Sequence, residues 1–179
     1  MTYPYLSGIN YESVADGPGI RAAIFLSGCT HNCQGCHNPQ THDPCFGARI
    51  DELAVNNIAH NIHIRNFLSG ITLTGGDPLY DIDKTYNFLY SLKNRMGARW
   101  DTLSIWLYTG YTWEKLMKLY PTFENLRCLL SMIDVIVDGQ FVQDQADKTL
   151  AFRGSSNQRL IDVKQSIKQR VPVIWNTET

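Results

Sequence analysis

The strongest constraint on the fold is the alternation of short apolar runs with longer amphipathic stretches along the chain. Short runs rich in β-branched and aromatic residues are typical of strands covered on both faces, whereas an apolar period near 3.6 residues is typical of helices that cover a sheet. The predicted strands are residues 21–27, 71–74, 103–108, 133–137, 159–163 and 171–175. The predicted helices are residues 50–67, 82–96, 113–120 and 163–169. This alternation indicates βαβ units around a parallel sheet.

The length of the chain limits the architecture further. Its 179 residues contain no repeat and no low-complexity linker, so we expect a single domain, residues 1–179. A closed eight-stranded (βα) barrel usually takes about 250 residues, which is more than this chain has. We therefore predict an α/β fold with about six mostly parallel strands, arranged as an incomplete (βα) barrel or an open sheet.

The charge balance and the hydropathy exclude two classes of partner. Lys and Arg number 16 against 17 Asp and Glu, whereas nucleic-acid-binding proteins carry a basic excess or a basic stripe. No stretch approaches the roughly 20 apolar residues of a membrane span, and residues 1–10 lack the basic start and apolar run of a signal peptide. We therefore expect a cytoplasmic protein that binds neither nucleic acid nor a membrane.

Three of the five cysteines lie in a short segment directly after the first predicted strand. A domain of this size folds without disulfides and cytoplasmic thiols stay reduced, so clustered cysteines indicate metal or redox chemistry. Cys29, Cys33 and Cys36 have the spacing C-x3-C-x2-C, and Gly28 and Gly35 allow sharp turns beside them. A cubane of four irons and four sulfides takes one ligand per iron, so three thiolates leave one iron open to a substrate.

The alternative to an iron-sulfur cluster is a zinc loop. Its fourth ligand would be Cys45, His37 or His42. The observed spacing is unusual for zinc, because zinc ribbons favour C-x2-C or C-x4-C paired with a second knuckle. We predict that Cys45 is not a ligand, and that Cys128 is a small buried hydrophobe within its apolar run.

Polar and glycine-rich turns follow the other predicted strands, and ligands gather beyond the carboxyl ends of parallel strands. The segment Gly75-Gly76-Asp77-Pro78 follows the second strand, where glycines allow close backbone approach and the Asp77 carboxylate could hold an ammonium group. Further candidates for hydrogen bonds to a ligand are Thr109, Asp138 and residues 155–157. The backbone of residues 154–156 could form an anion-binding nest.

Two other features of the sequence indicate structure and not chemistry. Residues 16–19 have the composition of a turn ahead of the first strand. Four histidines, His31, His42, His60 and His63, are predicted to have no paired acid or nucleophile that would indicate hydrolytic catalysis.

The three-cysteine motif resembles the signature of the radical S-adenosylmethionine enzymes, which is C-x3-C-x2-C. More narrowly, sequence blocks from residue 16 to residue 158 look like those of the activating proteins of anaerobic (class III) ribonucleoside-triphosphate reductases. The blocks are DGPGIR (16–21), SGCTHNC (27–33), GCHNP (35–39), TGGDPL (74–79), YTGY (108–111), VDGQF (137–141) and RGSSNQ (153–158). Two positions depart from the wider superfamily: Asp77 stands where many members have Glu, and Gly35 where they often have an aromatic residue. Glycine at that second position is common in activating proteins of this reductase.

The resemblance implies an incomplete (βα) barrel of the radical S-adenosylmethionine type and a set of site residues. The implied ligands of a 4Fe-4S cluster are Cys29, Cys33 and Cys36. The implied contacts of S-adenosylmethionine are Gly35, Cys36, His37, Gly75, Gly76 and Asp77. The loop of residues 16–19 is expected to line the rim of the site.

The activity that the resemblance implies is that of an oxidoreductase acting on another protein. Reduced flavodoxin or a similar donor supplies one electron, S-adenosylmethionine is cleaved to methionine and a 5'-deoxyadenosyl radical, and this radical takes hydrogen from a glycine of the reductase. Two alternatives stay open at this point. One is the activating enzyme of another glycyl-radical enzyme, such as pyruvate formate-lyase, and the other is a non-enzymatic zinc-binding interaction module.

Overall fold

A mixed sheet of eight strands runs through residues 1–176, the part of the chain that the computed structural model describes. The strands are β1 (Tyr5–Ser13), β2 (Arg21–Leu26), β3 (Ala48–Arg49), β4 (Gly70–Gly75), β5 (Ser104–Tyr108), β6 (Val135–Asp138), β7 (Arg159–Asp162) and β8 (Val173–Ile174). They lie in the order β3-β1-β2-β4-β5-β6-β7-β8. The central strands β2, β4, β5 and β6 pair in parallel, and the outer strands add antiparallel pairs at both edges. The parallel centre therefore brings four carboxyl ends to one edge of the sheet.

The helices of the described residues lie between and after these strands. They are α1 (Glu52–His63), α2 (Ile82–Met96), α3 (Trp113–Leu119), α4 (Glu124–Leu130) and α5 (Val163–Gln169). The helices α1, α2, α3 and α5 each begin at a residue whose side-chain oxygen accepts a hydrogen bond from a first-turn N–H group. These capping residues are Asp51, Asp81, Thr112 and Asp162. Within residues 1–176, no helix is both long and apolar enough to cross a membrane.

The predicted elements overlap the observed ones, with differences at the edges of the sheet. The six predicted strands overlap β2 and β4 to β8, whereas β1, β3 and α4 were not predicted. Residues of β1 are mostly half-buried and those of β3 are exposed, so neither strand forms an apolar run. The strand β7 runs antiparallel to β6 because residues 139–158 contain no crossover helix that would return the chain in parallel. The last residues of the predicted domain, 177–179, lie outside the described part of the chain.

The first predicted helix, residues 50–67, is shorter in the structure and ends at His63. Leu53 and Phe67, which the sequence pattern places on its apolar face, are 65% and 49% exposed. The second predicted helix has the same bounds as α2.

The two faces of the sheet are packed differently. Side chains alternate between the faces along each strand, and α1 to α4 cover the face that carries the buried residues Ile24, Leu73, Leu107 and Ile136. We call this the helix-covered face. The opposite face, here the cavity face, carries a smaller apolar cluster around Trp106, whose ring packs edge-on against Phe152 and Trp175.

Arg21 fills the amino-terminal end of the cavity face. The fully buried guanidinium donates hydrogen bonds to Thr72 Oγ1 (2.8 Å), Ser104 Oγ (2.8 Å) and the carbonyl oxygens of Ile71 (2.9 Å) and Ser104 (2.8 Å). It also lies over the Trp106 ring, 5.2 Å from the centroid. Burial lowers the pKa of Arg21 to about 10, so the group is charged at neutral pH and is held by polar contacts.

Candidate functional site

A cavity of about 260 Å³ lies at the carboxyl-terminal edge of the parallel strands. Its wall is formed by the loop after β2, the turn after β4 and the loops after β5 and β6. Six of the predicted site residues line it: Cys29, Cys33, Cys36, His37, Gly75 and Gly76. The other two do not line it, because Gly35 is exposed at the surface next to Cys36 and Asp77 is only 3% exposed.

The loop after β2, which we call the cysteine loop (residues 28–38), turns sharply to place its three thiols on the cavity wall. Its backbone has positive φ at Gly28 (108°), Asn32 (49°) and Gly35 (74°), and such angles favour glycine and asparagine. A Cβ atom at Gly28 would lie 2.4 Å from the ring of Tyr80, so glycine is required there. The Gly28 N–H donates to the Thr41 carbonyl oxygen at 2.8 Å, which fixes the start of the loop.

The three thiols are half-buried, and the surroundings of Cys29 and Cys33 change the pKa of these two thiols in opposite directions. Burial raises the pKa of Cys29 and of Cys33, and the negative charge of Asp77 adds to the rise. The backbone of His31 lowers the pKa of Cys29, and the backbone of Phe141 lowers the pKa of Cys33. These backbone groups therefore favour the thiolate form of the two cysteines, which is the form that binds a cluster.

The donor set fits an iron-sulfur cluster. All three thiols line one cavity, and thiolates are the ligands that hold such clusters. Within residues 1–176, no group of three or more His, Cys, Asp or Glu side chains converges on the position of a single metal ion. Each thiolate of a cubane binds a different iron, so thiols spread around a cavity are compatible with a cluster.

The turn after β4 lies against the start of the cysteine loop. A Cβ atom at Gly76 would lie 2.6 Å from the Gly28 carbonyl oxygen, and Gly75 has a φ of 104°. The backbone N–H groups of Gly76 and Asp77 donate to the carbonyl oxygens of Leu26 and Gly28, both at 2.8 Å. The two glycines are therefore required by the close approach of the two loops.

The carboxylate of Asp77 is engaged within the protein on both oxygens. Oδ2 accepts hydrogen bonds from His31 Nε2 (2.6 Å), Thr109 Oγ1 (2.9 Å) and the Gly110 N–H (3.0 Å). Oδ1 accepts from the Leu79 N–H at 2.8 Å. Direct contact between Asp77 and S-adenosylmethionine stays a prediction, and what the structure shows is a buried carboxylate that joins three loops.

The expectation that His31 has no paired acid is wrong. Its Nε2 atom lies 2.6 Å from Asp77, and because a carboxylate only accepts, Nε2 carries the proton. Its Nδ1 atom then accepts from Gln140 Nε2 at 3.0 Å, and its ring packs edge-on against Tyr111 at 4.8 Å. No local pattern relates residues 31 and 77, which are 46 positions apart, but both follow adjacent parallel strands and meet at the same edge.

An aromatic contact forms another part of the wall. The rings of His37 and Phe141 lie 5.6 Å apart. A Cβ atom at Gly35 would lie 3.3 Å from the Phe141 ring and 2.9 Å from Gln143 Oε1, and the φ of Gly35 is 74°. The absence of a side chain at Gly35 therefore leaves room for Phe141, a cavity residue that the sequence analysis missed.

Asp138 does not line this cavity. By the alternation along β6, its side chain follows Ile136 onto the helix-covered face, where it accepts from the Trp113 N–H (2.7 Å) and from Arg159 Nε (3.0 Å). Together with Glu114 and Lys115 it borders a second pocket. Asp138 was a candidate for a hydrogen bond to a ligand, and the structure places its carboxylate outside the cavity that the three thiols line. The two-residue period of the strand is the signal that would have placed it.

The loop of residues 153–158 also differs from its prediction. The N–H groups of Gly154 and Ser155 do form a nest, and both donate to the Gln158 side-chain oxygen at 2.9 and 3.2 Å. The hydroxyl of Ser155 is fully buried and accepts from the Val142 N–H. The nest therefore binds the side-chain oxygen of Gln158, in place of the anion that was predicted.

The remaining predicted residues are placed as follows. Thr109 and Asp16 line the cavity, which agrees with the expectation that the loop of residues 16–19 borders the site. Cys45 is exposed and does not line the cavity, and Cys128 is half-buried where full burial was predicted. The sequence did not indicate nine further lining residues, which are Phe25, Asn38, Thr74, Tyr108, Gly110, Gly139, Gln140, Phe141 and Gln158.

Comparison with known proteins identifies the family of the chain. A family model for a 4Fe-4S single cluster domain matches residues 15–161. A protein of Vibrio cholerae is 38% identical over 146 residues, which cover 81% of this chain and 89% of that relative. A protein of Haemophilus influenzae is 36% identical over 146 residues, with the same coverage of both chains. A protein of Enterobacteria phage T4 is 34% identical over 157 residues, which cover 85% of this chain and 93% of that relative. All three are described as anaerobic ribonucleoside-triphosphate reductase-activating proteins, and the chain belongs to this family.

Proposed function

We propose that the protein activates an anaerobic ribonucleoside-triphosphate reductase by forming a glycyl radical on it. The observation that carries the proposal is the placement of three thiols on one cavity wall, next to the Gly75–Gly76 turn, in a chain of this family. Three cysteines form an incomplete ligand set for a cubane, which leaves one iron for S-adenosylmethionine. The activity is that of an oxidoreductase with an iron-sulfur cluster and S-adenosylmethionine.

In this proposal Cys29, Cys33 and Cys36 hold the 4Fe-4S cluster. When bound, the cluster supplies the electron that cleaves S-adenosylmethionine to methionine and a 5'-deoxyadenosyl radical. The chain's own residues bind and orient that molecule. The proposed contacts are Gly35, Cys36, His37, Gly75, Gly76 and Asp77.

The substrate of the radical is a protein backbone. Transfer of a hydrogen atom from a glycine Cα to the 5' carbon gives 5'-deoxyadenosine and a glycyl radical, which is delocalised between the two adjacent amides.

We propose an anaerobic cytoplasm as the setting and reduced flavodoxin or a similar carrier as the electron donor. We also propose that residues 1–179 form one domain, with the incomplete (βα) barrel of the radical S-adenosylmethionine type.

The test is anaerobic incubation of the iron-loaded protein with dithionite, S-adenosylmethionine and purified reductase. We expect a doublet electron paramagnetic resonance signal on the reductase. Pyruvate formate-lyase is the control substrate, because the activating enzyme of that protein would share the chemistry. A strong doublet on pyruvate formate-lyase with none on the reductase would overturn the proposed substrate, and colourless protein with stoichiometric zinc would overturn the cluster.

A further inference from the structure

Four loops of the site meet at one hydrogen-bonded pair, His31 and Asp77. His31 lies in the cysteine loop after β2, and Asp77 lies in the turn after β4. Asp77 also accepts from Thr109 and Gly110 in the loop after β5, and His31 accepts from Gln140 in the loop after β6. One carboxylate and one imidazole therefore connect the carboxyl ends of all four central strands.

The pair is built as a fixed link. The side chain of His31 is 10% exposed and that of Asp77 is 2% exposed, and their contact at 2.6 Å is excluded from bulk water. A Cβ atom at Gly110 would lie 2.3 Å from His31 Cδ2, so the chain has a glycine where the ring needs the space. The ring also rests on Tyr111. Each of these contacts restricts the imidazole to one orientation.

The position of the link determines what it can control. His31 lies two residues from both Cys29 and Cys33, between two of the three thiols of the cysteine loop. Asp77 lies next to Gly76, which lines the same cavity as the three thiols. The link therefore fixes the distance between the thiols and the Gly75–Gly76 turn, the two parts between which a ligand of the cluster would bind.

We propose that His31 is a positioning residue that acts through Asp77 to align the cysteine loop with the turn after β4, so that S-adenosylmethionine contacts both. This inference rests on the proposed function, because it assumes that the cavity binds a cluster and S-adenosylmethionine. The link is not needed to assemble the cluster, whose ligands are the three thiols. Its loss weakens binding of S-adenosylmethionine and leaves the iron content unchanged.

Two amide substitutions at His31 test the hydrogen bond to Asp77 separately from the imidazole ring. In His31→Gln the longer side chain carries an N–H group to about the place of Nε2, so the bond to Asp77 is retained. In His31→Asn the amide nitrogen is too short to reach Asp77. The two variants have the same chemistry and differ in reach, which makes each the control of the other.

The measurement is the electron paramagnetic resonance spectrum of the reduced cluster during titration with S-adenosylmethionine, without reductase. We expect wild-type iron content in both variants, an affinity for S-adenosylmethionine about 10- to 100-fold lower in His31→Asn, and an affinity close to wild type in His31→Gln. Equal affinities in the two variants, or loss of iron from His31→Asn, would overturn the proposal.

A double-mutant cycle tests whether His31 acts through Asp77. In Asp77→Ala the acceptor of the His31 hydrogen bond is removed, so adding His31→Asn should not lower the affinity for S-adenosylmethionine any further. Two independent, multiplicative losses would contradict action through Asp77. These titrations need no reductase, so their failure leaves the glycyl-radical experiment unaffected, and a wild-type protein without a cluster would contradict the proposed function instead.

Discussion

The two faces of one sheet are stabilised by different interactions. On the helix-covered face, side chains such as Ile24, Leu73 and Leu107 pack against apolar residues of the helices. On the cavity face, buried polar groups with fixed partners provide stabilising interactions. They are Arg21 at the amino-terminal end of the strands and the pair His31 and Asp77 beyond the carboxyl end. Apolar packing tolerates exchange of one hydrophobic residue for another, whereas a buried polar group requires its particular partner. The difference indicates that apolar packing dominates on the first face, and that the site is built on the second face from specific polar contacts.

The largest expected effect comes from a substitution in the cysteine loop, and it concerns activity and not stability. Cys33→Ser should lower the iron content and abolish formation of the glycyl radical, because a cluster ligand is lost. The free energy of unfolding of the cluster-free chain should change by less than about 1 kcal/mol, because Cys33 is only half-buried. Iron analysis, radical quantification and urea unfolding measure these quantities. Cys45→Ser, at an exposed thiol outside the cavity, is the matched control and should behave as wild type.

The opposite result, a loss of stability without loss of specific activity, is expected from the helix-covered face. Phe88 in α2 is fully buried, so Phe88→Ala should lower the free energy of unfolding by about 3–5 kcal/mol. Leu53→Ala, at a position of α1 that is 65% exposed, should lower it by no more than about 0.5 kcal/mol. Urea denaturation of the two variants side by side checks the contrast. A larger loss for Leu53 than for Phe88 would contradict the assignment of the faces.

A charge-conserving change tests the polar end of the cavity face. Arg21→Lys keeps the positive charge but loses the planar donor arrangement that reaches Thr72 and Ser104. We expect the free energy of unfolding to fall by about 2–3 kcal/mol, because buried acceptors lose their donors. Chemical denaturation measures the effect. Wild-type stability of Arg21→Lys would show that charge alone suffices at this position.

The smallest effect is expected at an exposed ion pair between α3 and β7. The Arg159 guanidinium, through its hydrogen bonds, lowers the pKa of Glu114 below its usual range. The pair therefore stabilises the fold at pH values above that usual range, and the contribution is lost as the pH falls through the lowered pKa. Because the Glu114 side chain is 54% exposed, Glu114→Gln should cost at most about 0.5 kcal/mol near neutral pH and nothing in acid. Equal costs at both pH values would contradict an electrostatic origin.

The helix-covered face and the cysteine motif could be predicted from the sequence because both are local patterns. The bounds of α2 follow from an apolar period of the helix, and the three thiols follow from their spacing. The strands β1 and β3 could not be predicted, because a half-buried or exposed edge strand has no apolar run. Leu53 shows the reverse error, since an apolar residue close to the helical period is exposed.

The hydrogen bonds of the site could not be predicted from the sequence, for a different reason. His31 and Asp77 belong to loops that meet only after two parallel strands have paired, and nothing near either residue indicates the other. The filling of the backbone nest by Gln158 depends on the local path of one loop. Asp138 could have been placed correctly, because the alternation along β6 assigns it to the face opposite Val137.

The central claim is that the radical made in the cavity takes hydrogen from a glycine of the reductase. The most direct measurement uses reductase labelled with deuterium at the glycine Cα, incubated anaerobically with the iron-loaded protein, reductant and S-adenosylmethionine. Mass spectrometry of the product should show 5'-deoxyadenosine that carries one deuterium, together with a glycyl-radical signal on the reductase. Unlabelled 5'-deoxyadenosine formed at the same rate with and without reductase would contradict the account.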